Sequence, residues 1–521
     1  MLLIGLVLLA SLSPLCTAAA LWQMKEWRWD RLLEHLRREG ILRQLFGWLR
    51  PAVAAAFAWI FLLRLLPLEH WVLLFLTTLA GLSIIQFGLR KQRLPILTRK
   101  AVVLVATSVL LTAIAAFVLT LHLNRLGANV LLPFLPLLQP FFVMLSWLLW
   151  RPVDFILKKR VLDRAQDLRA LENNLTVIGI TGSVGKTTTK EILAHVLAEL
   201  PAIATPAYVN SEMGVAHWLI ETFSKPDHPK TLIIEMGAYR EGEIALLSAI
   251  AKQTIGVVTY VGSQHLALFG SEEALVRTKA EIITHLPQDG HAFLNGDNDA
   301  ARKMKELSPC PVTIVGTGGS CDIEAFDVEE TPTGIRFRVE GRTFSLPFHG
   351  THNVTNVLLA IAVARHLGMT DDAIAARLKT FIPPQHTFSV RAERNVTILD
   401  DTHNSSAASF RAAIAWARTQ PFEAKTLLAS GLIELGDQYE PIHRELGALA
   451  THVFSRVIFL DEESAKMFQQ GFGKPVEVLR KQVLRVSSGS LLVCIGRMRP
   501  STINRLLPSE IVATEKREMT S

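Results

Sequence analysis

The chain has 521 residues, half of them hydrophobic and 19% charged, with a formal net charge of +7. That mixture excludes intrinsic disorder, a collagen-like repeat and a small disulfide-stapled module, and at about 150 residues per domain it leaves room for three or more domains. The charge is uneven: residues 1–169 hold 20 Lys and Arg against 8 Asp and Glu, and eight of the ten tryptophans lie in the same stretch. The basic balance therefore belongs to one end and does not argue for nucleic acid, which needs a basic face on a folded domain. Tryptophan beside apolar runs and basic loops points to a membrane interface instead. Cys16, Cys310, Cys321 and Cys494 are widely spaced and form no CxxC pair, so they read as reduced packing residues with no disulfide framework and no zinc site.

A membrane-crossing helix needs about 20 apolar residues, at about 1.5 Å of rise each over about 30 Å of hydrocarbon. Leu2 to Leu21 and Ala101 to Leu121 meet this without a charge, and Trp71 to Leu89 nearly does. Ala52 to Leu66 is short and contains Arg64, while Val130 to Trp150 is interrupted by Pro133, Pro136 and Pro140. The expectation is a transmembrane domain of about five helices over residues 1–150, with four as the smaller count. The first apolar run lacks the basic start of a signal peptide and precedes an arginine-rich stretch, so it is read as an anchor. Lys and Arg crowd 22–50, 90–100 and 151–169, whereas the intervening turns carry only Arg125. With five spans, all three basic segments lie inside and everything after Arg151 is cytoplasmic, in a multi-pass protein of the cell membrane. Residues 151–175 form a basic linker, helix-compatible from Lys158 to Leu171.

From there the composition is that of an α/β protein. Leu175 to Ile180 is a β-branched apolar run, followed by Thr181-Gly182-Ser183-Val184-Gly185-Lys186-Thr187-Thr188-Thr189 and a helix-like run from Lys190 to Leu200. Strand, glycine loop and helix form the context of a phosphate-binding P-loop. Backbone amides at Gly182, Ser183, Val184 and Gly185 approach the phosphates, Lys186 reaches the β and γ groups, Thr187 is placed for Mg²⁺, and Thr188 follows on the helix. Ile233 to Gly237 reads as the end of a second buried strand. It places Glu235 at the sheet's C-terminal edge, where a carboxylate can hold Mg²⁺ against ATP.

Eight blocks in order resemble the Mur ligase family, ATP-dependent enzymes that add amino acids or dipeptides to peptidoglycan precursors, and most of all its D-alanyl-D-alanine-adding (MurF-like) branch. They are ITGSVGKTTTKE at 180, NSEMGV at 210, IIEMGAYREGEI at 233, TYVGSQHLALFGSEEALVRTKAEI at 259, LNGDND at 294, HGTHNVTNVLLAIAVA at 349, ILDDTHNSSAAS at 398 and IELGDQYEPIHRELG at 433. The resemblance implies a central ATP-binding domain at 176–384 and a Rossmann-like C-terminal domain at 385–521. It further implies that His265 and Lys279 serve a second Mg²⁺, the lysine as a carbamate formed with CO₂, so that Lys186, Lys279 and His265 are the catalytic residues. Asn295 resembles the residue that recognises adenine, with Asp297 as its companion. His352, Asn353 and Asn356 either face the nucleotide or cap and pack a helix. Asp401 is implied to lie near the ribose or phosphates, and Glu434, Asp437 and His443 near the amine substrate.

The implied reaction forms an amide through an acyl phosphate, using ATP and two Mg²⁺ ions. An amino acid or dipeptide supplies the amine, and an envelope precursor, suited by the anchoring to be lipid-linked, accepts it. Three departures stand out. A transmembrane domain replaces the family's UDP-sugar-binding domain; His386-Thr387 stands where an arginine-containing pair is usual; and His403 takes the place of a tyrosine. Two other readings compete: a membrane-tethered P-loop ATPase, and a nucleotide-binding scaffold without ligase activity.

Overall fold

The computed structural model describes residues 1–508 apart from 90–91, 122–127, 173, 263–268, 404–405, 433–434, 436–437 and 480–483, and apart from the side chains of 34, 38 and 128. The chain divides into two compact units, Met1–Arg160 and Val161–Ser521.

The first unit is helical: α1 (Leu2–Met24), α2 (Trp29–Glu39), α3 (Ile41–Phe46), α4 (Leu49–Leu62), α5 (Leu68–Gly88), α6 (Arg99–Leu121) and the start of α7 (Gln139–Leu171). Among the described residues, four segments are long and apolar enough to cross a membrane: α1, α5, α6 and Asn129–Leu171. The fifth apolar run folds as α4, only 14 residues long, so it falls short of the roughly 20 that a span requires. Pro133 and Pro136 fall in a 3₁₀ stretch, Ala128–Leu138, because proline cannot donate to an α-helical ladder. A buried polar triangle joins three helices: Arg50 of α4 donates to Ser13 of α1 at 2.7 Å and to Gln86 of α5 at 2.5 Å, and Ser13 donates to Gln86 at 2.6 Å. The Ser83 hydroxyl of α5 also bonds the Ala10 carbonyl of α1 at 2.7 Å.

The second unit opens with strands β1 (Thr176–Thr181), β2 (Ala202–Ala204), β3 (Thr231–Glu235), β4 (Ile255–Val258), β5 (His291–Asn295), β6 (Val312–Gly316) and β7 (Ile323–Glu324). They pair in parallel in the order β2-β3-β1-β4-β5-β6-β7. Both faces are covered, so the strands read as continuous apolar runs: β3 and β4 are buried at every position. A three-stranded antiparallel sheet follows, β8 (Phe326–Thr331), β9 (Gly334–Val339) and β10 (Arg342–Leu346). Its inward Phe337 and Phe344 stack with centroids 5.9 Å apart.

A second large sheet uses β11 (Ser389–Glu393), β12 (Val396–Asp401), β13 (Lys425–Ala429), β14 (Arg456–Phe459), β15 (Glu477–Val478) and β16 (Leu491–Ile495). Its order is β11-β12-β16-β13-β14-β15, parallel except for the antiparallel edge strand β11.

Arg169, near the end of α7, is buried within this unit. It donates to the carbonyls of Ala251 at 2.9 Å, Lys252 at 3.1 Å and Glu172 at 2.7 Å, so it closes the C-terminus of the helix Glu243–Ala251. Replacing Arg169 with Leu strands these carbonyls and is expected to cost about 2–3 kcal/mol, read as a lower denaturation midpoint; an unchanged midpoint would refute the capping role.

Candidate functional site

β1 lies inside the first sheet, with β3 on one side and β4 on the other. Chain order reverses across it, so a crevice forms beyond the carboxyl ends of these strands, the place where open α/β sheets bind ligands. The glycine loop leaves β1 at that edge and runs into helix α8 (Lys186–Val196). Gly185, at φ 91°, precedes the helix, and a side chain there would collide with the Asn356 amide. It has nothing with which to cap the first-turn amides, which leaves them to an anion in the cleft.

Not all of the loop faces the same way. The Ser183 and Val184 amides donate to the Tyr260 carbonyl at 2.7 and 3.3 Å, and the Ser183 hydroxyl donates to the Gly262 carbonyl at 2.9 Å. These two residues line the cleft but use their polar atoms to fasten the loop to the chain after β4. Lys186 folds back over the loop, its ammonium donating to the carbonyls of Gly182 at 2.8 Å and Ser183 at 3.1 Å. Burial pushes its pKa down, and Glu235 partly opposes that.

Glu235 is in register with Ile180, which sets the carboxylate level with the start of the loop. It accepts from the Thr187 hydroxyl at 3.0 Å and from the Asn210 amide at 3.1 Å, and the Lys190 ammonium lies 3.6 Å away. Lys190 is fully buried and donates to the Thr205 carbonyl at 2.9 Å. A hydroxyl and a carboxylate side by side are hard oxygen donors of the kind that suits Mg²⁺. Among the described residues no group of three or more His, Cys, Asp or Glu could hold a metal ion unaided; a magnesium ion here would draw its remaining ligands from phosphate and water.

Lys279 sits on the helix Glu272–Thr284, 3% exposed, with its ammonium 5.8 Å from the centre of the Phe269 ring. Burial first, and then the charge of Lys186, push its pKa down to about 7. His265 lies outside the described residues, as do Glu434 and Asp437.

The far wall of the cleft comes from the second large sheet. Asp401, at the end of β12, accepts from the Phe388 amide at 3.1 Å and from the Ser409 hydroxyl, and it faces the loop together with Thr387, His403 and Arg497. Thr387 therefore does occupy the cleft. Arg391 turns elsewhere, pairing with Glu393 at 2.5 Å and Asp400 at 3.5 Å. His443 is buried with both ring nitrogens on backbone: Nδ1 donates to the Tyr439 carbonyl at 2.7 Å and Nε2 accepts from the Leu432 amide at 3.3 Å. It holds that wall in place.

A neighbouring cavity of about 800 Å³ continues past Gly185 toward Asn295, Asp297 and Tyr260. Asn295, at the end of β5, accepts the Asp297 amide at 2.9 Å. The Asp297 carboxylate in turn accepts from the hydroxyls of Thr317 at 3.2 Å and Thr355 at 2.6 Å. Asn356, on the helix Val354–His366, ties that helix to α8, donating to Asn353 at 3.2 Å and accepting from Thr189 at 3.4 Å. His352 stacks edge-on against Phe388, centroids 4.6 Å apart, and burial pushes its pKa down to about 4. The motif reading passed over Lys190, Asn210, Phe388, Ser409 and Arg497. For Lys190 a signal was present, a second lysine one helical turn after Lys186.

This fold and this cleft define the Mur ligase class of α/β protein. Residues 180–364 match the family model described as the Mur ligase middle domain, and the chain is similar to MurF members of the Mur ligase family. It is 35% identical over 275 residues to the UDP-N-acetylmuramoyl-tripeptide–D-alanyl-D-alanine ligase of Synechocystis, covering 53% of this chain and 59% of that one. With the Escherichia coli enzyme of the same name it shares 30% identity over 304 residues, covering 55% and 65%. The chain thus spans about three fifths of the length of these relatives. The MurF ligase of Thermotoga maritima, solved with ADP, superposes with a TM-score of 0.59 at 28% identity, covering 67% of this chain and 82% of that one.

Because burial lowers the Lys279 pKa to about 7, it penalises folding fully below about pH 7, and the penalty fades as the pH rises toward the ordinary lysine pKa of about 10.4. Lys279→Met is expected to raise the Tm of the nucleotide-free protein at pH 7, with an increment that shrinks as the pH approaches 9. A constant increment would mean that the lysine is not held neutral.

Proposed function

We propose that the protein is a membrane-anchored, ATP-dependent carboxylate–amine ligase of cell-envelope precursor synthesis. The observation that carries this reading is the joining of Thr187 to Glu235 beside Lys186, at the phosphate-loop end of a cleft whose opposite wall presents Asp401. The similarity to Mur ligases supports it. In this reading a substrate carboxylate oxygen attacks the γ-phosphorus of ATP, the bond to the bridging oxygen breaks, and ADP leaves. The amine nitrogen then attacks the carbonyl carbon of the acyl phosphate, loses a proton, and expels phosphate to give the amide.

The protein's part is positioning and charge. The α8 amides and Lys186 hold the β and γ phosphates, and Thr187 and Glu235 hold Mg²⁺, which when bound neutralises phosphate charge. Asn295 and His352 line the nucleotide side. Lys279, with its pKa near neutrality, is suited to carry a carbamate, because CO₂ adds to the neutral amine; His265 and that carbamate would serve a second ion.

The anchoring reading rests on the four apolar segments and the basic stretches between them. With α4 carrying the chain back between α1 and α5, which run parallel with Ser13 against Gln86 and Ala10 against Ser83, it puts the ligase lobes on the cytoplasmic side and favours a lipid-linked acceptor over a UDP-linked one, since both partners would share one surface.

The test is an ADP-release and product assay on purified full-length protein in micelles, with D-alanyl-D-alanine and other amines and with UDP-linked and lipid-linked muramoyl peptides. ADP release is expected to require both an amine and an acceptor, and Lys186→Ala to lower it by about 10²–10³-fold. Full activity in Lys186→Ala, or ADP release indifferent to amine and acceptor, would overturn the ligase reading. A preference for the UDP-linked acceptor would overturn the lipid-linked one.

A further inference from the structure

At one end of the helical unit, Arg50 is 9% exposed at the start of α4. One terminal nitrogen is used by Ser13 and Gln86, but its Nε is buried with no hydrogen-bond partner. Gln92, just beyond α5, has both its amide nitrogen and its amide oxygen buried and unpartnered. Both residues line a cavity of about 230 Å³ that also receives Arg43 and Arg93. Three guanidinium groups meet there, and among the described residues no carboxylate lines the cavity. Buried donors left unmatched are costly, and three like charges repel; an anion relieves both.

Part of the remaining wall is apolar, beside the polar Thr17, Gln44 and Gln86. Pro14 and Leu21 of α1 and Phe46 of α3 lie beside the guanidinium groups, so the cavity offers a charged end and a greasy side. A free anion would use only the first. Arg43 and Arg93 belong to the basic segments 22–50 and 90–100, so the cavity opens at the end of the bundle that carries the positive charge, where headgroups of membrane lipids gather.

We propose that this cavity binds the head of a lipid phosphate, a phosphomonoester or diphosphate on an apolar chain, with Arg50, Arg43 and Arg93 holding the phosphate oxygens. Three cations suit a multiply charged head better than a phosphodiester's single charge, and guanidinium forks match phosphate oxygens in pairs. The proposal rests on the membrane reading of residues 1–160 and is independent of ligase activity.

The test uses full-length protein in phosphatidylcholine vesicles. Flotation first reports insertion; failure to float removes the membrane reading and this proposal with it. Labelled geranylgeranyl diphosphate is then titrated, with inorganic pyrophosphate and phosphatidylglycerol as competitors. Saturable binding is expected, weakened about ten-fold or more in the exposed pair Arg43→Gln/Arg93→Gln and in Arg50→Gln, with both competitors poor. Three results would overturn it: no saturable binding by inserted protein, binding unchanged in the Arg43→Gln/Arg93→Gln pair, or pyrophosphate competing as well as the prenyl form. The pair guards against misfolding of the Arg50 variant, because its side chains lie at the surface.

Discussion

The phosphate-loop sheet and its helix depend on one buried carboxylate. Glu235 ends a strand that is buried at every position, where an unmatched charge would be costly. It is tolerable there because Thr187, Asn210 and Lys190 all approach it. Those partners come from the first turn of α8, the loop after β2 and the middle of α8, so a single side chain ties the phosphate loop to its neighbouring strand. Losing it would leave the Lys190 ammonium buried against only the Thr205 carbonyl and Glu191. The same arrangement serves the proposed chemistry, since the hydroxyl and carboxylate that lock the loop are also the oxygens that a magnesium ion would take.

Much of the ATP side was legible in the sequence because its signals are local. A β-branched run followed by glycines and a lysine specifies strand, loop and helix within a few residues, and the structure has β1 and α8 there. The helix begins at Lys186, four residues earlier than the apolar pattern alone indicated, because the threonines after Gly185 are helical despite their β-branched side chains. The opposite wall was harder. Thr387, Phe388, Ser409 and Arg497 converge on Asp401 from distant parts of the chain, and no periodicity connects a residue before β11 to one after β16. Arg169 illustrates a different limit. Counted with the basic residues that set orientation, it is instead buried among carbonyls, and sequence does not distinguish a topological arginine from a capping one.

The helical unit holds together by another principle. Apolar helix faces pack in two clusters, around Phe75 and around Trp22, while the Arg50–Ser13–Gln86 triangle supplies direction that apolar contacts lack. Small polar groups also join α6 to α7, where the Ser108 and Ser146 hydroxyls lie 2.8 Å apart and the Gln139 amide donates to Thr112 at 3.1 Å. In hydrocarbon such bonds favour one helix register over its neighbours.

Glu330, on β8, shows how the two lobes of the cleft are joined. Its carboxylate accepts from His349 at 2.7 Å and from the Gly350 amide at 3.1 Å within its own lobe, and from the Trp416 indole at 3.0 Å across the boundary. Withdrawal of Trp416 would leave the carboxylate still matched by two donors. The indole nitrogen, on a helix at the lobe's edge, would meet water. That joint would open without stranding a charge, which suits the admission and release of nucleotide in the proposed ligase reaction.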